Sequence, residues 1–161
     1  MTADAGTTGA DEDRSSIARS VIDANRFMTV ATADVRGTPW ATPVWFASAD
    51  GRRFLWVSKP TTRHSQNIAS RPEVAIVLYD SRTTPAERQA VYIEATAREV
   101  EDDELDEGIG IFSTESASQG LAEWSRDDVT PPARFRLFEA TATAMFVLAD
   151  GPDERLPVPL P

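Results

Sequence analysis

Lys59, Arg63 and His64 fall in one short stretch, interleaved with the hydroxyls of Ser58, Thr61, Thr62 and Ser65. The apolar run before them, Phe54-Leu55-Trp56-Val57, reads as a strand. The residues after them, from 62 to 71 and ahead of Pro72, read as a short helix. Thr61 or Thr62 suits the N-cap, where a hydroxyl accepts from the free N–H groups of the first turn. Cations are disfavoured at that end of a helix by its macrodipole. Two accounts explain their presence. Either the free N–H groups, the hydroxyls and the guanidinium converge on an anion such as phosphate, or this is a surface turn whose Lys and Arg point into water.

Other chemistries are limited by composition. Cysteine is absent, which removes disulfides, thiolate nucleophiles and cysteine metal sites, and fits a reducing compartment. His64 is the single histidine, so a histidine-rich metal centre is excluded. The acidic run from Glu101 to Glu107 raises a carboxylate metal site as one reading. The other reading places these carboxylates in the first turn of a helix, where the dipole favours them, facing water. Lys and Arg number 16 against 26 Asp and Glu, a net charge of −10. Such a surface repels nucleic acid and anionic membrane, so neither is expected as a partner. No stretch approaches the ~18 apolar residues of a membrane span, and the first residues lack the pattern of a signal peptide. A cytoplasmic protein is expected.

The elements that must position the 58–65 stretch come from the rest of the 161 residues, a length that suits one domain. Residues 1–13 are small, polar and acidic and read as a disordered tail. Ile17, Ala18, Val21 and Ile22 recur at helical spacing, predicting a helix over 14–25 with Asp13 as N-cap. The runs 26–33, 38–48 and 53–58 then read as strands, with Asp and Gly in both separators as tight hairpins require. Pro39 and Pro43 cannot donate to a ladder, so one side of the second run lacks regular pairing, and a ligand can meet backbone there. Val74 to Leu78 is an almost continuous apolar run, as in a strand buried on both faces. Residues 89–100 alternate, predicting a strand with one wet face. Helical pieces broken by Gly110 and Gly120 follow, then a long last strand over 135–148. The tail from 150 holds Pro152, Pro157, Pro159 and Pro161 and reads as a loose Pro-rich arm. The expected fold is mainly β with flanking helices. About six antiparallel strands close into a small barrel, which removes exposed sheet edges.

The order of these parts resembles the pyridoxamine 5'-phosphate oxidase-like family of flavin-binding split β-barrels. The resemblance rests on Phe27-Met28-Thr29-Val30-Ala31-Thr32, Thr42-Pro43-Val44-Trp45-Phe46 and Leu55-Trp56-Val57-Ser58. It continues through Thr62-Arg63-His64 opening a helix, Arg71-Pro72 closing it, and Glu87-Arg88-Gln89 leading the next strand. It covers 14–100 well and 101–148 in outline. By resemblance the domain runs over 14–149 as a six-stranded antiparallel split β-barrel, a homodimer that builds each flavin site from both subunits. The cofactor implied is FMN. Thr62, Arg63 and His64 would hold its phosphate, with His64 where a Lys is usual and Lys59 compensating. Thr42, Pro43, Val44 and Trp45 would lie along the ring and ribityl chain, with Val57, Ser58 and Gln89 flanking. Trp124 and Arg126 fall where the family often approaches the flavin from the partner subunit.

The implied activity is hydride transfer through flavin N5 on a small-molecule substrate, with a nicotinamide electron donor. Two departures count against pyridoxamine 5'-phosphate itself. The oxidase's substrate-contacting Lys is replaced by Ala47, and its C-terminal Arg and His pair has no counterpart in Arg155-Leu156-Pro157-Val158-Pro159. A deazaflavin coenzyme on the same fold and a non-enzymatic flavin-binding or stress module are the alternatives. Haem would need an axial ligand, and His64 is the only histidine, which counts against it.

Overall fold

The computed structural model describes residues 5–148 and 153–161, with side chains described from residue 9. Period-two burial sets the strands. β1 (Phe27–Ala33) buries Met28, Val30 and Thr32 and turns Phe27, Thr29 and Ala31 the other way. β2 (Pro39–Trp45) pairs with it in full register, from Phe27 opposite Trp45 to Ala33 opposite Pro39. After Phe46 the chain continues as β3 (Ala47–Ala49) and turns at Asp50 and Gly51, at φ of 55° and 72°, into β4 (Arg53–Ser58). That Asp-Gly pair supplies the two left-handed positions a tight hairpin needs. α2 (Arg63–Ser70) follows, then β5 (Glu73–Tyr79) and β6 (Ala90–Glu99). α3 (Leu105–Ser118), the single turn α4 (Arg126–Val129) and β7 (Arg136–Leu148) complete the core of the fold.

The sheet order is β2-β1-β5-β6-β7-β4-β3, antiparallel throughout. Its two ends are adjacent in sequence, separated only by Phe46. One run of chain therefore forms both edges, and the sheet must curl to bring them together. The result is a split barrel. Its interior is filled by Met28, Val30, Phe54, Trp56, Ile76 and Ile93, among others. A second apolar cluster lies where α3 packs on β4 and β7, around Leu55, Ile109, Phe112 and Leu137.

The six expected strands are present, with two additions. The second run is divided at Phe46, whose ring is buried against Phe54. The C-terminal arm is not loose: β8 (Arg155–Val158) pairs with Met145–Leu148 of β7. It lies at an edge, where a sheet accepts Pro157. The N-terminal helix also starts earlier than expected. α1 spans Ala5–Ala24, so most of the predicted tail is helical and Asp13 lies inside the helix rather than capping it. Its core contacts are Ala18, Val21 and Ile22. The turns before them are rich in Gly, Thr and Asp, which are weak helix formers, and offer an Asp11–Arg14 pair but no apolar period to announce them. Residues 1–4 and 149–152 of the predicted tail and arm lie outside the described residues. Gly110 lies inside α3 and does not break it.

Candidate functional site

Among the described residues β2 pairs only with β1, and beyond Leu55 β4 pairs only with β7. Each strand thus keeps an unpaired edge. A cleft of about 490 Å³ opens between them. Backbone N–H and C=O groups along an unpaired edge need partners, and Pro43 supplies none of the donors.

The cleft gathers most of the residues singled out in the sequence. Thr42, Pro43, Val44 and Trp45 line it from β2, Val57 and Ser58 from β4, and His64 from α2. Thr62 reaches it indirectly, its Oγ1 lying 3.2 Å from His64 Nε2 and 2.8 Å from Ser65 Oγ. Lys59 and Arg63 are exposed and outside the lining. The Arg63 guanidinium lies over the Trp40 ring, 4.6 Å from its centroid. Gln89 is exposed just before β6 and is not part of the cleft lining.

The start of α2 differs from expectation in one instructive respect. Thr62 holds the N-cap position, yet its side chain makes no capping hydrogen bond. Its hydroxyl donates to the Lys59 carbonyl instead, at 3.0 Å. The first-turn N–H groups of α2 therefore keep their donor capacity. Beside them His64 Nε2 lies 2.9 Å from Ser58 Oγ. Burial pushes the His64 pKa down, so the ring is neutral near pH 7.

That depression has a measurable consequence. A histidine lowered in the folded state binds its proton better when unfolded, so it costs stability in acid. The contribution is intact above the ordinary value of 6.5 and is lost as pH falls below it towards the lowered folded value. The FMN-free wild-type protein should lose more stability than His64→Gln between pH 7 and mildly acidic solution, measured by urea unfolding at each pH.

Thr42 Oγ1 is buried and has no hydrogen-bond partner. An orphaned hydroxyl in a cleft wall fits a polar ligand atom, since leaving it unpaired costs about 1–3 kcal/mol. Together with the uncapped α2 start, this donor set suits a flavin phosphate and its polar chain.

Of the far wall only Trp124 was singled out in the sequence, and there as a residue reaching the flavin from the partner subunit. Phe112 and Ser116 of α3, then Leu121, Ala122, Trp124 and Phe135, complete the cleft. Trp45 meets Phe112 edge-on at 4.8 Å, and Trp45 Nε1 donates to Gln119 Oε1 at 3.2 Å. These residues show no common periodicity in the sequence. Trp124 lines the cleft of its own chain, whereas Arg126 turns to Asp102 and Asp106, each at 3.1 Å. The acidic run is taken up in the same way. Glu104 pairs with Arg98 and Glu107 with Arg53, and among the described residues no group of acidic side chains or histidine is arranged to hold a metal. A larger groove of about 870 Å³ lies between α1, the β3–β4 turn and the C-terminal residues. Its lining has four carboxylates, one Arg and no aromatic ring, which suits neither a phosphate nor a flavin ring.

Comparison with known proteins agrees with this architecture. The family model described as pyridoxamine 5'-phosphate oxidase matches residues 17–149. A pyridoxine/pyridoxamine 5'-phosphate oxidase of Paraburkholderia phymatum is 30% identical over 100 residues, 62% of this chain. The matched part spans only 44% of that relative's length. Among solved structures, a haem-binding protein from Mycobacterium smegmatis superposes with a TM-score of 0.68 at 19% identity, covering 88% of this chain and 56% of the other. A putative 5-nitroimidazole antibiotic resistance protein from Bacteroides thetaiotaomicron superposes at 0.65 and 14% identity, covering 80% of each chain. At such identities these two structures establish the fold alone. With the family model covering most of the sequence, the chain belongs to the pyridoxamine 5'-phosphate oxidase family.

Proposed function

We propose that the protein is an FMN-dependent oxidoreductase acting on a substrate other than pyridoxamine 5'-phosphate. The observation that carries this reading is the cleft itself. It joins an orphaned Thr42 hydroxyl and two unpaired strand edges to a helix start with uncapped N–H groups. The α2 N–H groups, Ser58, Thr62 and Arg63 would hold the phosphate, with Lys59 near enough in sequence to assist. Thr42 to Trp45 and Val57 would flank the ring. When bound, FMN supplies a two-electron carrier that exchanges hydride at N5. The residues named here bind and orient it and screen it from water. His64 stays neutral and is committed to Ser58 and Thr62, so no general base is assigned to it. Ala47, where the oxidase places its substrate lysine, is buried and cannot reach a ligand.

The proposal includes a homodimer. β5 was expected to be buried on both faces, but Ala75 and Tyr79 are exposed. Ala31 of β1, opposite Ala75, is exposed on the same face, as is Phe27 at the start of β1. A second copy of the chain would bury this largely apolar face and account for the two-sided pattern of β5. Ala31→Arg should convert a dimer into a species of the 17.6 kDa of one chain, read by sedimentation, and should weaken FMN binding in parallel.

An absorbance spectrum of the purified protein, before and after adding FMN, tests the cofactor. Bound-flavin bands support the reading. A deazaflavin spectrum selects that alternative, and a Soret band selects haem, which the haem-binding fold neighbour keeps in view. Reduction by NADH or NADPH faster than free FMN supports an enzyme. Its absence with every donor supports a flavin-binding module.

A further inference from the structure

The α3 side of the cleft is chemically unlike the α2 side. Trp45, Phe112, Trp124 and Phe135 form a continuous chain of rings, each edge-on to the next, with centroid separations of 4.8, 5.8 and 5.7 Å. The chain is held in place: Gln119 fixes Trp45, and Gln119 is itself anchored to Glu115 at 2.7 Å. Ser113 Oγ accepts from the Trp124 N–H at 2.8 Å. Among the described residues no Asp, Glu, Lys or Arg side chain lines the cleft. Leu121, 52% exposed, is apolar at its margin. A charged ligand packed against these rings, away from the α2 helix start, would lose water and gain no counter-charge. An uncharged planar ring system loses little and gains edge-to-face contact.

We propose that this ring wall binds an uncharged, fused-ring aromatic compound, for which a naphthoquinone serves as the probe. The assignment of that compound as the flavin's redox partner rests on the FMN reading above, but its binding does not. The phosphorylated substrate of the family oxidase is of the opposite charge class. Selectivity here arises because the wall offers no cation to pair with an anion, so discrimination comes from desolvation rather than from a specific contact.

The test uses two naphthoquinones of nearly equal shape: 2,3-dimethyl-1,4-naphthoquinone, which is neutral, and 2-hydroxy-3-methyl-1,4-naphthoquinone, an anion at neutral pH. Equilibrium dialysis is run on the full chain with and without saturating FMN. The neutral compound should bind at least tenfold more tightly than the anion in both states. Trp124→Ala should weaken the neutral compound at least fivefold. Leu121→Arg, at an exposed position that leaves the core intact, should improve the anion at least threefold. Equal binding of the two compounds, or preference for the anion, would overturn the proposal. So would displacement of the neutral compound by FMN, because the ring wall would then belong to the cofactor. If FMN does not bind at all, the FMN reading fails on its own, while dialysis of the FMN-free chain still decides the ring-wall site.

Discussion

Arg63→Glu is expected to bind FMN about 10- to 150-fold more weakly than wild type while remaining as stable. The first half follows from losing a hydrogen bond to a charged group, about 1.5–3 kcal/mol, at 1.4 kcal/mol for each factor of ten. The second half follows from the position of Arg63 as the first residue of α2. A carboxylate there complements the helix dipole by about 0.3–1 kcal/mol. That gain offsets the lost contact with Trp40, worth about 0.5–1 kcal/mol at an exposed site. Affinity and stability should therefore separate. Riboflavin, which lacks the phosphate, should bind both proteins equally. Fluorescence titration with the two flavins checks this, and an equal loss for both would remove Arg63 from the phosphate site.

The largest effect on stability is expected at Trp56. Its side chain is fully buried and stacks on Phe138 at 5.7 Å with 17° between the planes. Trp56→Ala should cost about 3–5 kcal/mol, because the barrel cannot collapse onto a gap of that size. At about 2–4 °C per kcal/mol for a chain of this length, the melting temperature should fall by roughly 6–20 °C. Trp56→Phe behaves differently. The indole Nε1 is buried with no partner, so Phe removes an unpaired donor as it removes volume. The two terms oppose each other, and the change should stay within about 1.5 kcal/mol. Calorimetry of the two variants side by side separates packing from the orphaned N–H. A Phe variant as unstable as the Ala variant would show that the indole nitrogen finds a partner in solution.

How far the sequence disclosed this molecule depends on which physical signal each part emits. The strands of the barrel announce themselves because one face of each is buried, so Val91, Ile93, Ala95 and Ala97 alternate visibly with Tyr92, Glu94 and Thr96. The Asp-Gly turn at 50–51 is equally plain, since few residue pairs tolerate positive φ. The β2 wall of the cleft was legible through Pro39 and Pro43, which remove ladder donors from a strand that proves to be an edge. The first turns of α1 emit no such signal, because their sequence shows no apolar period and Gly6, Thr7, Thr8 and Gly9 are weak helix formers. β8 was hidden for the opposite reason. Its prolines argue against a strand unless the edge position is known in advance. The aromatic wall depends on α3 and the segment after it folding over β4, a tertiary event that no local spacing encodes. Gln89 matches in order along the chain and is exposed outside the lining of this chain's own cleft.

The central claim is that the split in this barrel is a flavin site whose phosphate end docks at the start of α2. Calorimetric titration of the FMN-free protein with FMN and with riboflavin tests it most directly. The account predicts one FMN per chain, bound at least tenfold more tightly than riboflavin, with the difference erased in Arg63→Glu. Equal affinity for the two flavins, or no heat from either, would contradict it.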